Sequence, residues 1–212
     1  METTLPPVSP APPIQPIPQA VPTQPPAPDT FYVSFSAEIN PHTTESLLSV
    51  MANLVNQKAK TIHLLMSTPG GSVMNGMNLY NILRGLPVEL IPHNVGNVDS
   101  IGNAVFLAGK KRYACKHSTF MFHGVGFDIK NQTMRLEEKN LRESLASLLS
   151  DQKRIGSIIT ERSQITEDDA SALFREAQTK DAAFAVSMGI IHEIRDVQLP
   201  FGGPIISLVF QR

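Results

Sequence analysis

Three short segments carry the residue types that acyl-transfer chemistry needs. Ser67-Thr-Pro-Gly-Gly71 follows an apolar run and precedes a helical pattern. At such a junction paired glycines let a backbone N–H approach a ligand with no Cβ in the way. An N–H so placed is a donor for an oxyanion. The same five residues also make a plain strand-to-helix turn. No Gly-Lys-Ser/Thr follows them, so they do not resemble a phosphate loop. The second segment is Gly96-Asn-Val-Asp-Ser-Ile-Gly102. It is expected to put Ser100 at a helix N-terminus, where unpaired N–H groups and the helix dipole favour developing negative charge. There Ser100 is either a nucleophile, with the Ile101 N–H as a second oxyanion donor, or an N-cap, which serine does well. Gly102 allows close packing behind it. The third segment, Phe120-Met-Phe-His123-Gly-Val-Gly126, ends an apolar strand on a histidine. His123 is either a packed structural residue or a general base, and as a base it needs reach to a hydroxyl.

The elements around these segments alternate in type. Phe31, Val33 and Phe35 alternate with Tyr32, Ser34 and Ser36, which predicts a half-buried strand. Leu47, Leu48, Met51, Leu54 and Val55 then fall on one helical face. Thr61 to Met66 reads as a buried strand, Val73 to Arg84 as a helix, Val88 to Val95 as a strand, and Ser100 to Ala108 as a helix. Short strands are expected at Arg112–Ala114 and Thr119–Phe122. Strands alternating with helices predict βαβ units in a largely parallel α/β core. All three chemical segments then lie at the carboxyl edge of the sheet, where α/β proteins place ligands.

Two regions differ from this core. Residues 1–29 are dominated by Pro, Ala, Gln and Thr. They are expected to form an extended, disordered tail, with docking of its PxxP stretches as the other reading. Residues 133–162 predict a long charged helix, roughly 45 Å at full length. It carries Leu141, Leu145, Leu148 and Leu149 at helical spacing. That helix either lies across its own domain or projects as an arm toward another subunit. Beyond it, Thr166 and Asp169 form a capping-box-like start, Leu173 and Phe174 follow, another helix begins near Asp181, and Gly189-Ile-Ile leads to a last strand.

Composition narrows the function classes. A net charge of −1 gives no electrostatic case for nucleic acid or an anionic membrane. No apolar run reaches the ~18 residues that span a bilayer, and the N-terminus lacks a signal-peptide pattern. A cytoplasmic location is the expectation. The single cysteine, Cys115, leaves neither a disulfide framework nor a cysteine-based zinc site. No metal or cofactor is expected.

Taken in order, the three segments resemble the Clp peptidase family, the proteolytic subunit of the ATP-dependent Clp protease. The resemblance rests on SerThrProGlyGly at 67–71, SIGNAVFLAG at 100–109, MFHG at 121–124, a long handle helix at 133–162 and AVSMGII at 185–191. It spans about residues 31–195. It implies a ClpP/crotonase-like α/β fold over residues 30–212 and a serine endopeptidase acting through an acyl-enzyme. Ser100 would attack, His123 would take its proton, and the N–H groups of Gly70 and Ile101 would hold the oxyanion, with Gly71 shaping the loop. It also implies a homo-oligomeric ring around a chamber, unfolded chains or peptides as substrate, and an AAA+ ATPase as a possible partner.

The pattern breaks at three places. Counting back twelve residues from Gly189, the family's aspartate position falls on Ala177, which cannot orient an imidazole. Glu176 is the neighbouring substitute; a dyad steadied by water or a backbone carbonyl is the other reading. Asp99 stands where the family has a small residue, and is expected to point away from the site. His192 replaces an aspartate. These departures keep two other functions open: an inactive pseudo-peptidase scaffold, and an acyl-CoA enzyme of the crotonase type.

Overall fold

The computed structural model describes residues 29–126, 137–201 and 203–210. The proline-rich segment up to residue 28, and the first residues of the expected handle, 133–136, lie outside the described residues.

The sheet grows from three parallel central strands. β1 (Thr30–Ser36) pairs with β2 (Thr61–Thr68) from Thr30↔Thr61 to Ser36↔Ser67, and β2 pairs with β3 (Glu89–Asp99) from Thr61↔Glu89 onward. Strand alternation sends Val33, Phe35, Ile62, Leu64 and Met66 into the core. Each fully buried large side chain contributes about 1.5–3 kcal/mol. Against that layer packs α1 (Pro41–Asn56), which buries Leu47, Met51 and Leu54. α1 starts where the Asn40 side chain accepts from Thr43 N and Thr43 Oγ1 accepts from Asn40 N, with Pro41 at the first turn. Such a cap is worth ~1 kcal/mol. α2 (Val73–Gly85) begins at Ser72, whose hydroxyl accepts from Asn75 N.

β3 runs four residues past Val95, the end expected from the sequence. Its register with β2 jumps from Met66↔Asn94 to Thr68↔Val98, so extra residues bulge into β3 at Gly96. The bulge lets β3 change neighbours. His93 and Asn94 pair with β4 (Tyr113–Ala114), whereas Asn97 to Asp99 pair with β5 (Thr119–Met121). Only five residues, Gly102–Phe106, are helical after it (α3), shorter than expected.

The remaining elements close the edges. α4 (Glu138–Arg162) is followed by α5 (Glu167–Glu176), with the Thr166–Asp169 capping box formed as expected. β6 (Thr179–Asp181) adds antiparallel to β5, and Asp181 caps α6 (Ala182–Ser187), accepting from Phe184 N at 2.8 Å. β7 (Glu193–Ile194) pairs with β4, and β8 (Ile205–Ser207) pairs with β1. The main path of the sheet is β6-β5-β3-β2-β1-β8.

Arg112 ties the second half together from inside the core. It is 4% exposed, and its guanidinium donates to the carbonyls of Gly109, Arg162, Gly189 and Ile190 at 2.6–2.9 Å. Burial, with Arg162 nearby, pulls it down to about 10, so it stays a cation at neutral pH.

Candidate active site

The carboxyl ends of β2, β3 and β5 bring Gly70, Ser100 and His123 to one edge. Ser100 follows the last residue of β3 and adopts φ 56°, in the left-handed region that costs a non-glycine residue about 1–2 kcal/mol. The turn is held by several bonds. Ser100 N donates to Met121 O at 2.9 Å, and Ser100 O accepts from Asn103 N at 3.1 Å and from Asn103 Nδ2 at 3.1 Å. Asn103 Nδ2 also donates to Met121 O at 2.8 Å, locking the end of β3 to the end of β5. Ser100 is therefore not the N-cap of α3; Ile101 holds that position without a side-chain cap bond.

The glycine loop presses directly on this turn. A Cβ added to Gly70 would stand 2.7 Å from Ser100 Cβ and 2.8 Å from Asp99 O, and Gly70 has φ 86°. Gly71 has φ 139°, and a Cβ there would meet Ile39 O at 2.3 Å. Gly70, the expected oxyanion donor, is engaged on both sides. Its N–H donates to the buried Thr68 Oγ1 at 3.1 Å, while its carbonyl accepts from Ile39 N at 2.7 Å. Among the described residues, the N–H groups of Gly71 and Ile101 have no such partner.

His123 lies just past β5, half-buried. Its Nδ1 is 2.7 Å from Gly124 O. A carbonyl only accepts, so Nδ1 carries the proton and Nε2 of the neutral ring is the acceptor. The loop is fastened on its other side by Phe122 N to Gln178 O at 3.1 Å and Gly124 N to Phe174 O at 2.9 Å. Those two bonds set Glu176 across from His123. The Glu176 carboxylate, however, is exposed and accepts from Gln178 Nε2. Ala177, at φ 50°, is the left-handed end of α5.

The Asp99 carboxylate, expected to point away from the site, is held by Asn97. Asn97 Nδ2 donates to Asp99 Oδ2 at 2.6 Å. Burial raises the Asp99 carboxyl, opposed by the bond from Asn97, the Met121 backbone amide and the charge of His123. The network around Asp99 and the clamp by Asn103 were missed from the sequence. In both cases the signal was a polar residue inside an otherwise small or apolar run.

A cleft of about 380 Å³ opens beside these groups, lined by Gly71, Val73, Met74, Val125, Leu148 and Asp151 among others. A larger hollow of about 590 Å³, with Lys60, Arg84 and Lys110 on its wall, lies at the start of β3, away from Ser100. Among the described residues no cluster of three or more His, Cys, Asp or Glu is placed to hold a metal. None of the described helices is long and apolar enough to cross a membrane.

Comparison with known proteins bears on the family and the fold. A family model, Clp protease, matches residues 28–198. The ATP-dependent Clp protease proteolytic subunit 1 of Corynebacterium jeikeium is 29% identical over 133 residues, 59% of this chain and 68% of the relative. The protein of the same name from Leifsonia xyli subsp. xyli is 25% identical over 153 residues, 68% of this chain and 72% of the relative. Among solved structures, a ClpP1 mutant from Listeria monocytogenes matches with a TM-score of 0.70 at 18% identity, covering 79% of this chain and 92% of that one.

Proposed function

This chain belongs to the Clp protease family, and from that premise we propose that it is a serine endopeptidase with Ser100 as nucleophile and His123 as its base. The observation that carries the reading is the strained Ser100 turn, wedged against Gly70 and bonded to the strand that delivers His123. His123 Nε2 accepts the Ser100 Oγ proton as Oγ attacks the peptide carbonyl. The developing oxyanion is held by the N–H groups of Gly71 and Ile101. His123 then protonates the leaving amine, and water, activated by the same nitrogen, releases the acyl group. The Gly124 carbonyl fixes the histidine tautomer, so the pair works as a dyad; Glu176 is the residue across the loop from it.

We extend the reading to assembly and partner. The first part of α4 exposes Leu141, Leu145 and Leu149, spaced one helical turn apart. This stripe is the arm that meets further copies of the chain, forming a ring-built chamber that admits unfolded chains or peptides. The relatives are named as subunits of an ATP-dependent protease. An AAA+ ATPase is the corresponding partner here.

The test is covalent labelling. A fluorophosphonate probe is expected to mark Ser100 in the wild type, with labelling lost in Ser100→Ala and strongly slowed in His123→Ala. Peptide hydrolysis should fall by at least about a thousandfold in Ser100→Ala. Equal, slow cleavage by wild type and Ser100→Ala would assign the chain to the inactive scaffolds. Binding of acyl-CoA thioesters without labelling would favour the crotonase-type enzyme.

A further inference from the structure

Asp99 is the charged residue nearest the nucleophile in sequence, and the acyl-transfer scheme gives it no task. It pairs with Met121 across β3 and β5. Register partners on neighbouring parallel strands share a face of the sheet, and the residue two further along returns to that face. His123 is two residues beyond Met121, so Asp99 and His123 stand diagonally on one face at the carboxyl edge.

The Asp99 carboxylate is also held in place. Asn97 Nδ2 reaches it at 2.6 Å and the Thr68 carbonyl at 3.2 Å, and Ser67 Oγ donates to Asn97 Oδ1 at 3.1 Å. Two side chains and one backbone carbonyl on two strands thus keep one half-buried carboxylate at the carboxyl edge. Burying a carboxylate costs free energy unless a positive partner compensates. His123, on the same face of the sheet, opposes that cost by drawing the carboxyl back down.

Other charged groups near the histidine are occupied. Asp151 of α4, in the wall of the cleft, pairs with Arg154 at 3.0 Å. Glu176, at the end of α5, is bonded by Gln178. On β6, Lys180 donates to Gln178 Oε1 and stands 5.0 Å from the Phe184 ring centre, while Asp181 caps α6.

We propose that Asp99 is a positioning residue for His123, its Asn97-clamped carboxylate stabilising the imidazolium formed when His123 takes the Ser100 proton. It thereby replaces in function the acid that Ala177 cannot provide. The inference rests on the serine-peptidase reading above. Its electrostatics are simple: a carboxylate on the same sheet face as an imidazole favours the charged ring, and removing it makes the ring a weaker base.

The experiment is a pH profile of kcat/KM on a short uncharged peptide for wild type, Asp99→Asn and Asp99→Glu. In Asp99→Asn the acid limb should move down by about one pH unit, and the plateau should fall about tenfold. Asp99→Glu should recover most of both, with circular dichroism unchanged throughout. An unmoved acid limb in a folded Asp99→Asn protein overturns the proposal. So does a higher plateau, which would mean that the carboxylate opposes the oxyanion instead. Fluorophosphonate labelling separates the two levels: unlabelled Ser100 in the wild type sinks the peptidase reading and this inference together. Labelling with an unmoved acid limb sinks only the role of Asp99.

Discussion

At the carboxyl end of β3 almost nothing can be enlarged, whereas the first half of α4 has little to touch. Gly70, Gly71 and Gly102 would each place an added Cβ under 3.0 Å from a neighbouring atom, and Ser100 sits at φ 56° between them. In α4 the buried residues are Ile155, Ile158 and Ile159, all in its final turns, while Leu141, Leu145 and Leu149 are 51%, 56% and 56% exposed. The first region is over-determined: backbone bonds, glycines and the Asn103 clamp fix one geometry, as a preorganised site requires. The second is the outer half of a regular helix about 37 Å long, anchored through the packing of its final turns. A rigid edge and an exposed leucine stripe in one chain place the proposed chemistry within the chain and the proposed assembly beyond it.

The sharpest way to break that contrast is Gly70→Ala. The new Cβ has to displace Ser100 Cβ and Asp99 O from 2.7 and 2.8 Å, and the backbone at φ 86° is itself unfavourable for alanine. Peptide hydrolysis should drop by about a hundredfold or more, because small displacements of a nucleophile are costly. A purified, folded Gly70→Ala protein with near wild-type kcat/KM would show that the edge is not over-determined.

Much of the fold was legible from sequence because its causes are local. The alternation in Phe31–Phe35, the apolar face of α1 and the Thr166–Asp169 box each depend on residues within a few positions of one another. What escaped depends on distant partners. The extension of β3 through Gly96, Asn97 and Asp99 breaks apolar alternation, since these residues serve the network with Ser67 and Thr68. Thr68 Oγ1 takes the Gly70 N–H, a bond that no motif records. Nor does a serine announce a positive φ. Arg112 opens a short strand expected from the sequence, but its four carbonyl partners come from Gly109 and from residues 162, 189 and 190. β6 and β8 are three residues each and gain their strand form only from β5 and β1.

A second, smaller test concerns what the packed sheet does with acid. His93 is 5% exposed, and His63 Nδ1 lies 3.1 Å from its Nε2. Burial, reinforced by His63 and Arg195, pushes His93 down from 6.5 to about 4. A histidine whose folded pKa is depressed adds stability above its unfolded value, and that stability is lost as pH falls toward the folded one. The window is therefore pH 6.5 down to about 4, and the loss is up to about 3 kcal/mol. Urea midpoints at several pH values should fall through this window in the wild type and much less in His93→Gln. Parallel curves for the two proteins would remove His93 from the account. α4, with its charges exposed on its outer half, should contribute little to the slope.

The arm supplies the smallest effect on the subunit and the most specific one on its assembly. Replacing Leu141, Leu145 and Leu149 together by serine removes apolar surface that is already more than half exposed. The change should alter the unfolding free energy by no more than about 0.5 kcal/mol per site, as for other surface positions. The salt bridges on that stretch, Lys139–Glu143 and Arg142–Glu138, remain, so the helix itself should persist by circular dichroism. Light scattering should nevertheless report a lower mass than for the wild type, because burial of a leucine stripe between copies is worth far more than its present contacts. If wild type and variant share one mass, α4 is not an assembly arm. The contrast with the rigid edge then reduces to one between a site and a decoration on its rim.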